Sequence, residues 1–340
     1  MILTSTFRPA WWLPGPHLQT LWPVLDPLRP RPRLIRERLE LPDGDFLELD
    51  WLPKGDGPLV IVIHGLEGSS RSGYARGLLA AVARRGWRAV VMHFRGTGGE
   101  PNRLARSYSA GESRDIAWVV ETLRRRFPAV PLCCVGYSLG GNALLKWLGE
   151  AASRAPVTAA VAVSVPMLLE ASARRMQQGC SRLYQFYLLR ALRRSYRRKF
   201  HRRPDAPVPL EQVERLRDFY AFDDRITAPL HGYRGVDDYY RRASCRGSLR
   251  NIAVPTLILH ALDDPFMTPE VVPEQGELSP AVTLELSRRG GHVGFVGGRV
   301  PGRGQYWLEQ RIPAFLKKML HDRFPQQPDP RDRITTRIPL

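Results

Sequence analysis

Short apolar runs alternate with helical patterns along much of the chain. The strand candidates are rich in Val, Ile, Leu and aromatic residues, and they span 33–41, 46–52, 58–64, 87–94, 131–137, 158–165, 255–261 and 282–287. Helical patterns lie between several of them, at 72–85, 113–126, 141–153 and 305–321. The central runs are apolar at every position, which is typical of strands covered by helices on both faces. This pattern predicts an α/β fold in which eight strands form a mostly parallel sheet flanked by helices.

The alternation stops after residue 165. Residues 166–251 contain no convincing strand, and within them the stretch 174–203 combines eleven Arg or Lys with no acid and several Leu, Tyr and Phe side chains. We therefore predict that 166–251 forms a helical, basic cap inserted into an α/β core made of 1–165 and 252–325. The proline-rich, polar residues 326–340 are predicted to be an extended C-terminal tail.

The charge of the chain is strongly positive, at +18. Such a charge suggests nucleic acid or an anionic membrane as a partner. Only five of the 51 basic residues are lysines, and no nucleic-acid-binding motif accompanies them, so nucleic-acid binding is not expected. Contact with an anionic membrane through the basic cap stays a hypothesis, because a solvated basic face explains the same composition.

Targeting signals and metal-binding motifs are absent from the sequence. The N-terminal residues have no basic cluster, apolar core or small-residue cleavage site, and no run of 18 apolar residues follows. The four cysteines have neither a metal-type nor a disulfide-framework spacing. We predict a cytoplasmic protein with neither a metal nor a cofactor.

The segment 136–140 has the sequence Gly-Tyr-Ser-Leu-Gly and lies between a predicted strand and a predicted helix. This is the context of the G-x-S-x-G nucleophile elbow, in which glycines two positions on either side of the serine remove steric clashes in a sharp turn. The helix that follows offers N–H groups and partial positive charge to a developing oxyanion. The sequence therefore predicts that Ser138 is a nucleophile.

A serine nucleophile needs a base and an acid that orients it, and on this fold the acid precedes the base along the chain. The strand at 255–261 leads into Asp263, Asp264 and a proline, and the strand at 282–287 leads into a glycine-flanked His292. Both loops would lie at the carboxyl edge of the sheet, where α/β folds bind their ligands. We predict His292 as the base and Asp264 as the acid, with Asp263 left open because a shift of one residue would exchange the two.

The oxyanion hole requires two N–H donors. The backbone N–H of Leu139, directly after the nucleophile, is one candidate, and that of Leu66, in the loop after the third predicted strand, is the other. Glu67 beside it is interpreted as a loop-stabilising carboxylate.

With these residues identified, the chain resembles the α/β-hydrolase superfamily and, within it, the YheT-like branch, which is similar to the ABHD-type lipid hydrolases. The resemblance rests on motifs in matching order along nearly the whole chain, namely HLQT (17–20), HGLEGSS (64–70), FRGTGG (94–99), GYSLGGN (136–142), DDPF (263–266) and GGHVGF (290–295). It implies a serine esterase with Ser138, Asp264 and His292 as the catalytic triad, no cofactor, and short-chain or lipid esters such as acylglycerols as substrates.

Two other functions stay open at this point. An acyltransferase would use the same triad but pass the acyl group to an alcohol instead of water. A non-catalytic module that binds anionic surfaces would explain the basic, aromatic-rich insertion, although such a module need not retain all three triad residues.

Overall fold

The structure is a computed structural model that describes residues 1–323, so the predicted tail at 326–340 lies outside the described residues. Its main strands are β1 (Ile2–Thr4), β2 (Ile35–Glu40), β3 (Phe46–Trp51), β4 (Leu59–Ile63), β5 (Arg88–Met92), β6 (Leu132–Tyr137), β7 (Ala159–Val163), β8 (Thr256–Ala261) and β9 (Val282–Ser287). They form one sheet in the order β1-β9-β8-β7-β6-β4-β5-β3-β2. Neighbouring strands are parallel except for the antiparallel pairs β2–β3 and β3–β5.

The sheet has one strand more than the eight predicted. The additional strand, β1, pairs in parallel with β9 at the edge of the sheet. Only three residues long, it is too short to produce a periodic pattern that could be read from the sequence.

The helices are α1 (Pro16–Leu25), α2 (Gly73–Ala83), α3 (Ser113–Arg126), α4 (Leu139–Ala151), α5 (Leu169–Met176), α6 (Ser181–Phe200), α7 (Phe219–Phe222), α8 (Ala228–Leu230), α9 (Val236–Ala243) and α10 (Leu308–Arg323). A small antiparallel pair, β10 (Val296–Gly297) and β11 (Gln305–Tyr306), precedes α10. The four helices predicted between strands correspond to α2, α3, α4 and α10, with ends that differ by a few residues.

Both faces of the sheet are buried under helices. In β4, Val60 and Val62 pack into an apolar cluster with residues of α2 and α10, whereas Ile61 and Ile63 pack into a second cluster with residues of α3 and α4. Successive side chains of a strand point to opposite faces, so a strand covered on both sides has to be apolar at every position. The continuous apolar runs of the sequence follow from this arrangement.

The chain between β7 and β8 contains α5 to α9 and no strand. Helix α6, with 20 residues, is the longest helix of this region. Two apolar clusters hold this region together. One surrounds α6 and contains Leu189, Tyr196 and Phe200. The other surrounds α5 and α9 and also includes Ala110, which lies just before α3.

The parallel strands β4, β6, β8 and β9 all end at the same edge of the sheet. The loops that follow them carry Leu66, Ser138, the aspartates 263 and 264, and His292. Parallel strands therefore bring together residues that are more than 200 positions apart in the sequence.

Candidate active site

Ser138 occupies the turn between β6 and α4 in a backbone conformation that few residues other than glycine adopt. Its φ is 51° and its ψ is −121°. Such a conformation costs on the order of 1–3 kcal/mol and persists only where the surrounding structure enforces it. Here the Ser138 N–H donates to the carbonyl of Val163 in β7, and the Ser138 carbonyl accepts from Asn142 in α4. The strained serine is thus fixed by both neighbouring elements.

Two glycines allow this turn to pack against the rest of the edge. A Cβ at Gly136 would lie 2.7 Å from the carbonyl oxygen of Gly140, and a Cβ at Gly140 would lie 2.2 Å from the carbonyl oxygen of His64. The second contact is the tighter one, and it brings the turn directly against the loop after β4. The spacing of the glycines in the sequence therefore reflects two close backbone approaches.

His292 and Asp264 approach Ser138 in a continuous hydrogen-bonded series. The Nε2 atom of His292 lies 3.0 Å from the Oγ of Ser138, and its Nδ1 lies 2.8 Å from the Oδ2 of Asp264. The other oxygen of Asp264 accepts from the N–H of Phe266 at 2.9 Å. The Asp264 side chain is fully buried, and that of His292 is 10% exposed. The ring is therefore held between a buried carboxylate and the serine hydroxyl.

Asp263 contacts the same loop but not the ring. Its carboxylate accepts from the backbone N–H of Gly291 at 2.9 Å, and burial raises the pKa of this carboxyl. The two adjacent aspartates thus have different partners: Asp264 binds the imidazole of His292, and Asp263 binds the backbone beside it.

Two residues that the sequence analysis did not assign also hold His292. The Oγ1 of Thr20 accepts from the His292 backbone N–H at 2.9 Å and donates to the carbonyl of Pro16 at 2.7 Å. The ring of Phe266 stacks on the imidazole with a centroid distance of 3.9 Å and an interplanar angle of 9°. Thr20 belongs to the motif HLQT and Phe266 to the motif DDPF. Nothing in the sequence shows that these residues of the motifs contact His292, which is 272 positions away from Thr20.

Leu66 and Leu139, the two residues whose backbone N–H groups are predicted to form an oxyanion hole, line the same pocket as Ser138. Within residues 1–323, neither N–H donates a hydrogen bond, whereas Gly65 and Glu67, on either side of Leu66, donate to the hydroxyls of Tyr74 and Tyr108. Donors without a protein partner beside a nucleophile are available to a ligand oxygen.

Glu67 connects the loop after β4 to helix α6. Its φ is 51°, and its carboxylate accepts from the hydroxyls of Tyr108 and of Ser195 in α6. These contacts agree with the interpretation of Glu67 as a carboxylate that stabilises the loop.

A mainly apolar pocket opens beside Ser138, with a volume of about 180 Å³. The helices α5 and α6 contribute Leu169, Met176, Leu188 and Leu192 to its wall. The segment from α7 to α8 adds Phe219, Phe222, Ile226 and Leu230. The site can therefore hold an extended apolar group next to the serine hydroxyl.

A few polar groups also face this pocket. Desolvation lowers the pKa of Lys199 to about 7, although its ammonium group donates to Asn102, Arg106 and Ser107. Desolvation raises the pKa of Asp223 to about 6, and this carboxyl accepts hydrogen bonds from other residues of the helical region.

His64, which follows β4, is fully buried. Burial lowers its pKa to about 3 from 6.5, so the folded state holds the neutral ring. A depressed histidine pKa gives stability that is present above pH 6.5 and is lost as the pH falls towards 3. We expect this group to lower the free energy of unfolding by about 2 kcal/mol between about pH 7.5 and about pH 5, measured by urea unfolding. The variant His64→Gln should have a smaller pH dependence than the unchanged chain, and an unchanged pH dependence in this variant would contradict the assignment.

Residues 1–323 lack both a cluster of metal ligands and a helix suited to span a membrane. No group of three or more His, Cys, Asp or Glu residues in this part of the chain is arranged to hold a metal ion. None of the helices described is long and apolar enough to cross a bilayer.

Comparison with known proteins agrees with this architecture. Residues 58–298 match the family described as the alpha/beta hydrolase fold. The chain is 46% identical over 322 residues to YheT of Escherichia coli, a protein named as an esterase, with 93% of this chain and 94% of that protein covered. It is 29% identical to phospholipase ABHD3 of Mus musculus, with 94% and 80% covered.

The esterase Pf2001 of Pyrococcus furiosus, a solved structure, is similar to the chain with a TM-score of 0.55 and 16% identity, over 84% of this chain and 92% of that one, which shows a shared fold. The family match spans well over half of the chain, and the similarity to YheT extends along almost all of it. The chain is therefore a member of the α/β-hydrolase family, and within it of the group of ester hydrolases that contains YheT.

Proposed function

We propose that this protein is a serine hydrolase that cleaves lipid esters, with acylglycerols and phospholipids as the substrate class. The observation that carries the proposal is the hydrogen-bonded series from Asp264 through His292 to Ser138 beside an apolar pocket. The names of the relatives YheT and ABHD3, an esterase and a phospholipase, support the same chemistry.

The first half of the reaction transfers the acyl group to Ser138. The serine Oγ attacks the ester carbonyl while the Nε2 of His292 takes the hydroxyl proton, and the buried Asp264 stabilises the imidazolium that forms. The negative charge on the carbonyl oxygen is stabilised by the N–H groups of Leu66 and Leu139. The tetrahedral intermediate then collapses, and His292 returns its proton to the leaving alcohol.

The second half releases the acyl group to water. A water molecule gives its proton to the Nε2 of His292 and attacks the acyl carbon, and the same two N–H groups stabilise the second oxyanion. The protonated His292 then restores the hydroxyl of Ser138, and the product leaves as a carboxylic acid. An alcohol in place of water would give acyl transfer by the same steps.

The apolar wall of the pocket supports the proposal that the pocket binds the acyl chain of the substrate. Most of its wall is apolar, and much of it comes from the helical region 166–251, which we propose acts as a cap that shields the acyl chain from water. Binding energy from such a chain favours longer acyl esters over acetyl esters, because each buried CH₂ contributes about 0.8 kcal/mol.

The proposal is tested by intact-mass analysis after reaction with a fluorophosphonate probe, followed by hydrolysis of an ester series of increasing acyl length. We expect a single adduct that peptide mapping places on Ser138, and a free carboxylic acid as the product. Absence of an adduct on the folded protein would overturn the proposal, and an ester of an added alcohol as the main product would favour acyl transfer.

Thr20 is expected to act as a positioning residue for His292. In Thr20→Val the backbone N–H of His292 loses its acceptor, and a buried donor without a partner costs about 1–3 kcal/mol. We expect kcat to fall about tenfold with little change in KM, because the ring shifts relative to Ser138 while the pocket stays intact. Thr20→Ser retains the hydroxyl and should restore kcat. An equal loss of kcat in both variants would show that the hydroxyl of Thr20 does not position His292.

A further inference from the structure

Helices α1 and α6 together expose an unusual number of large apolar side chains. On α1 they are Leu18, Leu21, Val24 and Leu25, and on the first two turns of α6 they are Leu183, Phe186 and Tyr187. We call these seven residues the apolar face. Val24, Leu183 and Tyr187 are each at least 70% exposed. Single exposed apolar residues are ordinary, whereas a contiguous group marks a surface that another apolar phase covers.

A direct contact joins the N-terminal ends of the two helices. The Nδ1 of His17 in α1 lies 3.1 Å from the hydroxyl of Tyr184 in α6, and their rings stack. Exposed apolar residues adjoin each partner of this contact in the sequence, Leu18 next to His17 and Leu183 next to Tyr184. The exposed apolar side chains of both helices therefore begin beside this contact and continue from it along each helix.

Exposed arginines border the part of the apolar face that lies on α6. The outward stripe of α6 that contains Leu183 and Tyr187 continues, at helical spacing, into Arg190 and Arg194. These two arginines and Arg182 are exposed, and none of them forms a salt bridge with a carboxylate of residues 1–323. The whole stretch 174–203 contains eleven basic residues and no acid. Apolar side chains bordered by arginines are typical of helices that lie in the interface of an anionic membrane.

The apolar face also adjoins the candidate active site. Tyr184 packs on Phe266 with a centroid distance of 5.0 Å, and Phe266 stacks on His292. On the other side of α6, Leu188 and Leu192 line the apolar pocket. One helix thus separates the exposed face from the space beside Ser138.

We propose that the apolar face, with Arg182, Arg190 and Arg194, is a docking surface for an anionic lipid bilayer. The apolar side chains enter the interface, and the arginines bind the phosphate groups of the lipids. Docking does not require hydrolysis, so the proposal stands independently of the proposed function. It extends the sequence hypothesis of a basic cap that contacts a membrane, because α1, outside the cap, supplies four of the seven residues of the apolar face.

The test is co-sedimentation of the full chain with vesicles of phosphatidylcholine alone and with one third phosphatidylglycerol. We expect binding to the anionic vesicles that weakens at about 0.5 M salt, because screening shortens the range of the charges. Arg190→Glu with Arg194→Glu should weaken it at least about tenfold, since each arginine near an anionic surface contributes about fivefold. The triple change Leu183→Ser, Phe186→Ser and Tyr187→Ser should have a similar effect.

Matched controls distinguish a loss of docking from an effect of the lower net charge and from a loss of folding. Arg114→Glu with Arg154→Glu makes the same change in net charge on exposed residues of α3 and of the turn after α4, and should bind as the unchanged chain does. The variants of the apolar face, of Arg190 with Arg194 and of Arg114 with Arg154 should all hydrolyse a water-soluble short-chain ester at unchanged rates. Ser138→Ala should bind vesicles fully, so a failure of catalysis and a failure of docking can be told apart.

Three results would overturn the proposal. The first is that the unchanged chain does not bind anionic vesicles. The second is that the double arginine variant and the triple serine variant bind as well as the controls. The third is a dimer, seen by sedimentation velocity without lipid, that the triple serine variant abolishes, which would assign the face to a second copy of the chain.

Discussion

Replacement of Ser138 by alanine should lower the rate of ester hydrolysis by about 10⁴- to 10⁶-fold and abolish labelling by a fluorophosphonate. The hydroxyl removed is the one that lies 3.0 Å from the Nε2 of His292, and among the residues described no other serine hydroxyl contacts this ring. Without it no acyl-enzyme forms, and only oxyanion stabilisation and substrate binding are left. The measurement is steady-state hydrolysis of a short-chain ester together with intact mass after labelling.

Ser172→Ala is the matched control for this change. Ser172 also lines the pocket, but its hydroxyl donates to the carbonyl of Leu168 and to the sulfur of Met267 rather than to a histidine. We expect this variant to keep the label and to change kcat less than about tenfold. Because alanine retains the Cβ of serine, the backbone strain at position 138 is nearly unchanged, and both variants should remain folded, which circular dichroism can verify. Labelling retained in Ser138→Ala would assign the nucleophile to another residue.

The second large effect is expected at Asp264. In Asp264→Asn an amide NH₂ faces the Nδ1 of His292, so the ring has to carry its proton on Nε2, the atom that should accept the proton of Ser138. We expect kcat to fall by about 10⁴-fold with the fold intact. The adjacent change Asp263→Asn retains an oxygen that can accept from the N–H of Gly291, so its activity should stay within about tenfold of the unchanged chain.

The contrast between these two neighbours is the sharpest test of the geometry. Both variants remove one negative charge at nearly the same place, so a purely electrostatic role would give similar losses. A large loss at position 263 with a small loss at 264 would contradict the proposed roles and would mean that the register of the loop differs in the working enzyme.

The sequence alone was sufficient for the parts of this protein that depend on local patterns. Local patterns identified eight of the nine strands of the main sheet, and those at its centre, such as β4 and β7, were continuous apolar runs because strands buried on both faces must be apolar at each position. The glycines around Ser138 indicated a strand-turn-helix unit, since only glycine tolerates the close backbone contacts of this turn. The relation to α/β hydrolases rested on the same local motifs, and the comparisons confirm it.

What the sequence left open depended on contacts between distant segments. Asp263 and Asp264 are adjacent after the same strand, so no periodicity separates them, and only the packing of the loop after β9 brings one to the ring and the other to Gly291. The contacts of Thr20 and Phe266 with His292 and the joining of α1 to α6 have no local signal either. Local patterns report which backbone conformation and burial a residue requires, whereas the partner of a side chain is decided by how the whole chain packs.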